Sequence, residues 1–219
     1  MKKVLVTVLC VLFVSGAAVA GDFPRVELFG GYSFMKIDMD TEGLAQAVAE
    51  VAPGGSITYS ISRYLKKGFN GSAAFNIAKS FGIVADFRYN RDRVLDFTIL
   101  EGGSAINGNL KWRDISIMGG PRFTLRSSDK VTPFVHALAG MDYWTISGKA
   151  NVEGEDVDVG KAESSSGLGV AVGGGLDVNV SRNVAIRLVQ ADYYLTRHGG
   201  ERMNNINLAF GIVFRLGGD

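Results

Sequence analysis

Past residue 21 the dominant period in the chain is two. From Leu168 to Val180, Leu168, Val170, Val172, Leu176, Val178 and Val180 share one face, while Gly169, Ala171, Gly173, Gly175, Asp177 and Asn179 share the other. Phe81 to Asn90 repeats the pattern, with Phe81, Ile83, Ala85, Phe87 and Tyr89 against Gly82, Val84, Asp86, Arg88 and Asn90. Asn207 to Leu216 does so again, with Leu208, Phe210, Ile212, Phe214 and Leu216 on the apolar side. Strict alternation is the signature of a strand with two chemically different faces. Val26–Phe34, Phe69–Ala78 and Leu110–Leu125 alternate less cleanly. Two further segments leave their orientation open. In Thr132–Trp144, Phe134 and Leu138 share a face with His136 and Asp142; in Val184–Thr196, Arg187 falls with the apolar set. A bulge, or a position at a membrane edge, would resolve the second.

Eight segments of roughly ten residues match the length a tilted strand needs to cross a bilayer. Their connections differ in length. Lys79-Ser80, Arg126–Val131 and Ser181-Arg182 are short; Met35–Gly68, Arg91–Asn109 and Thr145–Ser165 are long, and Arg197–Asn204 is intermediate. Glycine, alanine and charge gather on one face and bulky aliphatics and aromatics on the other. A soluble barrel turns its large apolar residues inward. Here the small, charged face fits the inside, so the bulky face must meet lipid. The expectation is an all-β fold: an eight-stranded antiparallel up-and-down transmembrane β-barrel over residues 21–219, with short turns at the periplasmic end and long loops outside. Tyr32, Phe34, Phe69, Phe81, Tyr89, Trp112, Tyr143, Trp144, Tyr193 and Phe214 lie near segment ends and are expected to form two interfacial girdles. Arginine at Val172 should damage assembly, whereas serine at Gly173 should be mild.

Residues 1–20 have a different character. Lys2 and Lys3 precede an apolar stretch from Val4 to Val14, and Ala18-Val19-Ala20 closes it. This is the layout of a secretory signal peptide, with cleavage expected after Ala20. The single cysteine, Cys10, lies within it, preceded by Leu9 rather than a small residue, which argues against a lipoprotein. The mature chain therefore has no thiol for a disulfide, metal site or nucleophile. Lys and Arg number 23 and Asp and Glu 22, so the net charge of +1 offers no basic surface for nucleic acid. Glycine at 29 and proline at 4 suit close strand packing rather than a helical bundle.

On these residues the chain resembles the small eight-stranded outer-membrane barrels, the group of the OmpA transmembrane domain, OmpX and Opa. The strand Asn207-Leu208-Ala209-Phe210-Gly211-Ile212-Val213-Phe214 is similar to the terminal signal that barrel-insertion machinery reads in that class. It departs by continuing through Arg215-Leu216-Gly217-Gly218-Asp219. The resemblance implies residence in the outer membrane.

The candidate functional residues are the charges expected to face the lumen: Glu27, Asp86, Arg88, Asp114, Arg122, Asp177, Asp192 and Arg215. An eight-stranded bore is wide enough only for side chains, and confined charges must pair. They are expected to plug the barrel, making it a surface anchor whose long loops meet an extracellular ligand. The alternative is a narrow ion or small-solute pore. An enzyme acting on lipid A is a more distant reading. Lipid A deacylases of this architecture carry a His-x-Ser pair, whereas His136 is followed by Ala137-Leu138 and His198 falls in the last loop, where a solvated side chain is expected. No enzyme activity, cofactor or metal site is expected. The acidic run Glu153–Asp158 lacks calcium-loop spacing, and Gly173-Gly174-Gly175 lacks the following Lys-Ser/Thr of a phosphate loop. Leu44–Ala52 has the residues of a short helix ending at Pro53-Gly54-Gly55.

Overall fold

A computed structural model describes residues 23–50, 56–101, 104–152 and 155–218; the expected signal peptide lies outside them. In chain order the elements are β1 (Val26–Lys36), α1 (Thr41–Glu50), β2 (Ser56–Ile61), β3 (Tyr64–Ala78), β4 (Phe81–Glu101), β5 (Ser104–Thr124), β6 (Val131–Val152), β7 (Glu155–Asn179), β8 (Val184–His198) and β9 (Glu201–Leu216). Strands joined by short turns pair antiparallel. β1 pairs with both β3 and β9, and β4 with both β3 and β5, so β1 and β3 to β9 close into a ring of eight. Closure removes the unpaired edge that lipid would not tolerate. The short β2 extends the wall, pairing with the far end of β4 from Ser56 opposite Leu100 to Ile61 opposite Leu95.

The two faces divide as the alternation requires. Ile83, Val172 and Phe210 are 52 %, 57 % and 54 % exposed on the outside, while Asp86 and Arg215 are 3 % and 6 % exposed within. Both segments of open orientation are resolved. Thr132, Phe134, His136, Leu138, Asp142 and Trp144 all point inward. In β8 a bulge at Leu188–Val189 shifts the register between Arg187 and Gln190 against β9. Leu188 and Val189 therefore both face out, and Arg187 turns into the bore.

The ring closes where Gly31 of β1 stands opposite Gly211 of β9. A Cβ on Gly31 would collide with the Phe210 carbonyl, and one on Gly211 with the Gly30 carbonyl; neighbouring Gly30 has open space. At the β8–β9 turn, Gly199 and Gly200 adopt φ of 57° and 100°, which side chains disfavour.

Several expectations are corrected. The supposed loops Arg91–Asn109 and Thr145–Ser165 are largely β-hairpin. β4 and β5 pair from Phe81–Phe123 to Glu101–Ser104, and β6 and β7 from Val131–Val178 to Val152–Glu155. Strands of 21 to 25 residues reach roughly 70–80 Å at about 3.3 Å per residue, well beyond the ~30 Å hydrocarbon core. Outside lipid the outer face need not be apolar, so alternation fades although backbone pairing continues. The acidic run follows from this: Glu155–Asp158 belong to β7, while Glu153 lies outside the described residues. The helix starts earlier than expected, at Thr41, because the Asp40 carboxylate accepts from the amides of Glu42 and Gly43 (3.1 and 2.9 Å) as an N-cap. Trp112 and Trp144 belong to no girdle. They are 5 % and 8 % exposed and stack inside the bore at 4.9 Å. Gly173 is inward, and a Cβ there would collide with the Ala191 carbonyl and the Asp192 carboxylate.

Val172→Arg is therefore expected to lower unfolding stability in lipid vesicles by about 2–4 kcal/mol, as for a midplane cation facing lipid. Gly30→Ala should stay within roughly 0.5 kcal/mol. Gly173→Ser should lose the heat-modifiable gel migration of a closed barrel. Urea titration and unheated SDS gels on the three variants check the facing of β7 and the fit at Gly173.

Candidate functional site in the barrel lumen

The bore is filled in layers. At the short-turn end Glu27 of β1 is surrounded by three guanidinium groups: Arg122 of β5 at 3.0 Å, Arg126 at 3.0 Å and Arg215 of β9 at 3.2 Å. Asp177 of β7 receives Nε of Arg187 at 2.8 Å and Nη2 at 3.2 Å, with Arg122 at 3.6 Å. Aromatic rings separate the cations. Arg187 lies 4.2 Å from the Phe29 ring and 4.3 Å from the Phe134 ring, and Arg122 lies 4.3 Å from Phe134. Such contacts compensate a guanidinium held away from water.

The next layer centres on Arg88 of β4, whose side chain is fully enclosed. Its Nε donates to Asp86 at 2.6 Å and its Nη2 to Asp192 at 2.8 Å, on the far side of the ring. Asn70 donates to Asp86 at 3.0 Å, Gln190 donates to Asp192 at 2.8 Å, and His136 Nε2 lies 2.7 Å from the other oxygen of Asp192. Gln190 also accepts from Arg187 at 2.7 Å, which joins the two layers. Removing one member of such an enclosed network leaves a charge with no solvent to relax it.

Above this, Asp142 of β6 accepts from the Tyr194 hydroxyl and lies 2.8 Å from His198 Nε2, with Asp114 alongside. Then the chemistry changes. Met35, Ile37, Leu65, Val94, Trp112 and Trp144 form an apolar layer toward the hairpin end.

The eight candidates are thus all buried in one bore. Glu27, Arg122, Asp177 and Arg215 share the first layer, Asp86, Arg88 and Asp192 the second, and Asp114 the third. Arg187, His136, Asp142, Tyr194 and His198 were absent from the set. His198 is not a solvated loop residue; it ends β8, is buried against Asp142, and meets the Trp144 ring at 5.9 Å. The parity of Asp142 with His136 was the available signal for β6. The signal for β8 was Arg187 falling with the apolar set, which a bulge or a membrane-edge position would explain; the structure shows the bulge.

A closed antiparallel ring of eight strands, apolar outside and charged within, is a transmembrane β-barrel of the outer-membrane type. The model of the outer membrane protein beta-barrel domain family matches residues 6–215, and the chain belongs to that family. The protein is an outer-membrane protein on that basis. Similar solved structures include Ail, the attachment invasion locus protein of Yersinia pestis (20 % identity, 88 % of this chain and 99 % of that one, TM-score 0.47). Two others are OprG from Pseudomonas aeruginosa (10 %, 90 % and 98 %, 0.46) and Neisserial surface protein A (15 %, 88 % and 97 %, 0.45). Comparison with curated proteins finds no match.

Arg88→Met is expected to cost about 3–5 kcal/mol, because it strands Asp86 and Asp192. The triple variant Asp86→Asn, Arg88→Met, Asp192→Asn removes the stranded charges yet keeps acceptors for Asn70, Gln190 and His136, and should regain most of that loss. Urea unfolding of both in the same vesicles measures the difference; a triple variant weaker than the single would contradict the network.

Proposed function

We propose that the protein is a surface anchor: a barrel closed to solutes, whose projecting hairpins present a binding face to an extracellular ligand. The observation that carries this reading is the enclosure of Arg88 and Arg187. Arg88 is bound to Asp192 across the bore and Arg187 to its cross-strand neighbour Asp177, and both lie beneath the apolar layer of Trp112 and Trp144. A hydrated ion crossing this bore would have to break several charge-assisted hydrogen bonds at once. The four long strands β4 to β7 project beyond the thickness of a bilayer, which supports an outward role for the hairpin end. By the layout of the class, the short turns then lie in the periplasm. The alternating strand β9 is the segment for the insertion machinery to read.

His136 and His198 are each committed to a buried carboxylate. That supports a structural role for both, and lipid A isolated with and without the protein is expected to have the same mass spectrum. The decisive measurement is single-channel recording on refolded protein in planar bilayers. Silence is expected; stable, unitary current steps would replace the anchor by the pore reading.

A further inference from the structure

On β3, β4 and β5 the outer wall changes from apolar to basic within two residues. Phe69, Tyr89, Ile115 and Tyr143 form a cross-strand row, each opposite the next. Two residues toward the hairpin end, about 7 Å along each strand, Lys67 stands opposite Arg91 and Arg91 opposite Arg113. Two residues further, Arg93 stands opposite Lys111. All five side chains are exposed on the outer face. Like charges in direct cross-strand register repel at close range, and five of them on three adjacent strands are a stability cost that the fold does not require.

Little within the protein offsets it. Among the described residues the one ion pair made by these five is Arg93 with Asp96, at 3.4 Å and exposed. Asp92, between Arg91 and Arg93, spends its carboxylate on the backbone amides of Lys66 and Arg93 (3.0 and 2.9 Å). The cluster is not a by-product of a basic chain, because the net charge is +1. Its five cations line one depression of about 710 Å³, with Tyr89 at its lower edge and Thr145 and Ser147 at its side.

We propose that this depression binds the phosphate groups of an outer-leaflet glycolipid headgroup, of the doubly phosphorylated lipid A type. The height favours a lipid over a soluble anion: the site sits one step above the aromatic row, where acyl chains give way to headgroups. Two guanidinium groups in adjacent strands present paired donors that fit phosphate oxygens. An annular lipid held there completes the electrostatics of the wall at the base of the β4–β5 hairpin. The placement in the outer leaflet rests on the orientation proposed above; the binding chemistry does not.

The test uses full mature protein in phosphatidylcholine nanodiscs, titrated with diphosphoryl lipid A, with retained lipid counted by native mass spectrometry. Saturable retention is expected, falling by about tenfold or more in Arg91→Gln/Arg113→Gln, since each guanidinium–phosphate contact is charge-assisted. Lys130→Gln/Arg182→Gln, which removes the same charge from the short turns, should retain lipid as the parent does. Heat-modifiable migration confirms that each variant is folded. Equal retention by the first variant and the parent overturns the site. So does equal retention of phosphatidylglycerol, which would reduce it to general attraction, or saturable binding of inorganic phosphate with no retention of lipid. Whole-cell maleimide labelling of Glu42→Cys reads the orientation separately. Failure to label would overturn the outward placement while leaving the nanodisc result to judge the binding.

Discussion

Lipid offers no hydrogen-bond partner, so every backbone amide and carbonyl in the membrane must find one within the protein. The ring of eight strands is the answer to that constraint, and the rest follows from closing it. Closure demands that β1 meet β9, and at that seam Gly31 faces Gly211, where any side chain would strike the opposing backbone. Closure also creates an interior. With eight strands the interior is too narrow for a water-filled channel and too wide to be left empty, so the inward positions must be chosen to fill it.

They are filled in a graded way. Near the short turns the bore holds acids and bases in nearly matched positions, with aromatic rings between the guanidinium groups. Toward the hairpins it becomes an ordinary hydrophobic core around Trp112 and Trp144. Buried ion pairs contribute little net stability on their own, because desolvation offsets attraction. Their consequence is specificity: Arg88 reaches from β4 to Asp192 on β8, and Arg187 from β8 to Asp177 on β7. Each link penalises a slipped register, since a one-residue shift would put a charge into lipid.

The outer wall has its own gradient. Aliphatic and aromatic side chains cover the spanning part, and on β3 to β5 cations follow immediately. Beyond them the hairpins continue as paired strands, with Leu95 and Ile99 of β4 still buried. Inside and outside thus change chemistry at similar levels along the strands, but in opposite senses. The bore turns apolar near the height where the wall turns basic.

Alternation alone was sufficient for the fold, because a period of two and the identity of the bulky face depend only on residue order and on the solvent each face meets. Phe81–Asn90 and Asn207–Leu216 could be assigned to their faces without coordinates, and so could the lumen positions of Asp86, Arg88, Asp177 and Arg215. At Arg187 the sequence raised the question of register without deciding between a bulge and a membrane-edge position. The bulge at Leu188–Val189 reverses the facing of Arg187, and such a bulge is set by the pairing of β8 with both neighbours rather than by local composition. The two tryptophans carried the aromatic signature of a girdle, yet pack in the bore; Trp112 shares the parity of Asp114 and Trp144 that of Asp142, a signal outweighed by their position near segment ends. The long loops read as irregular because a hairpin in water needs no apolar face, and only its cross-strand hydrogen bonds reveal it. Residue order decides which side of a strand is greasy; closure of the ring decides which charges meet across it.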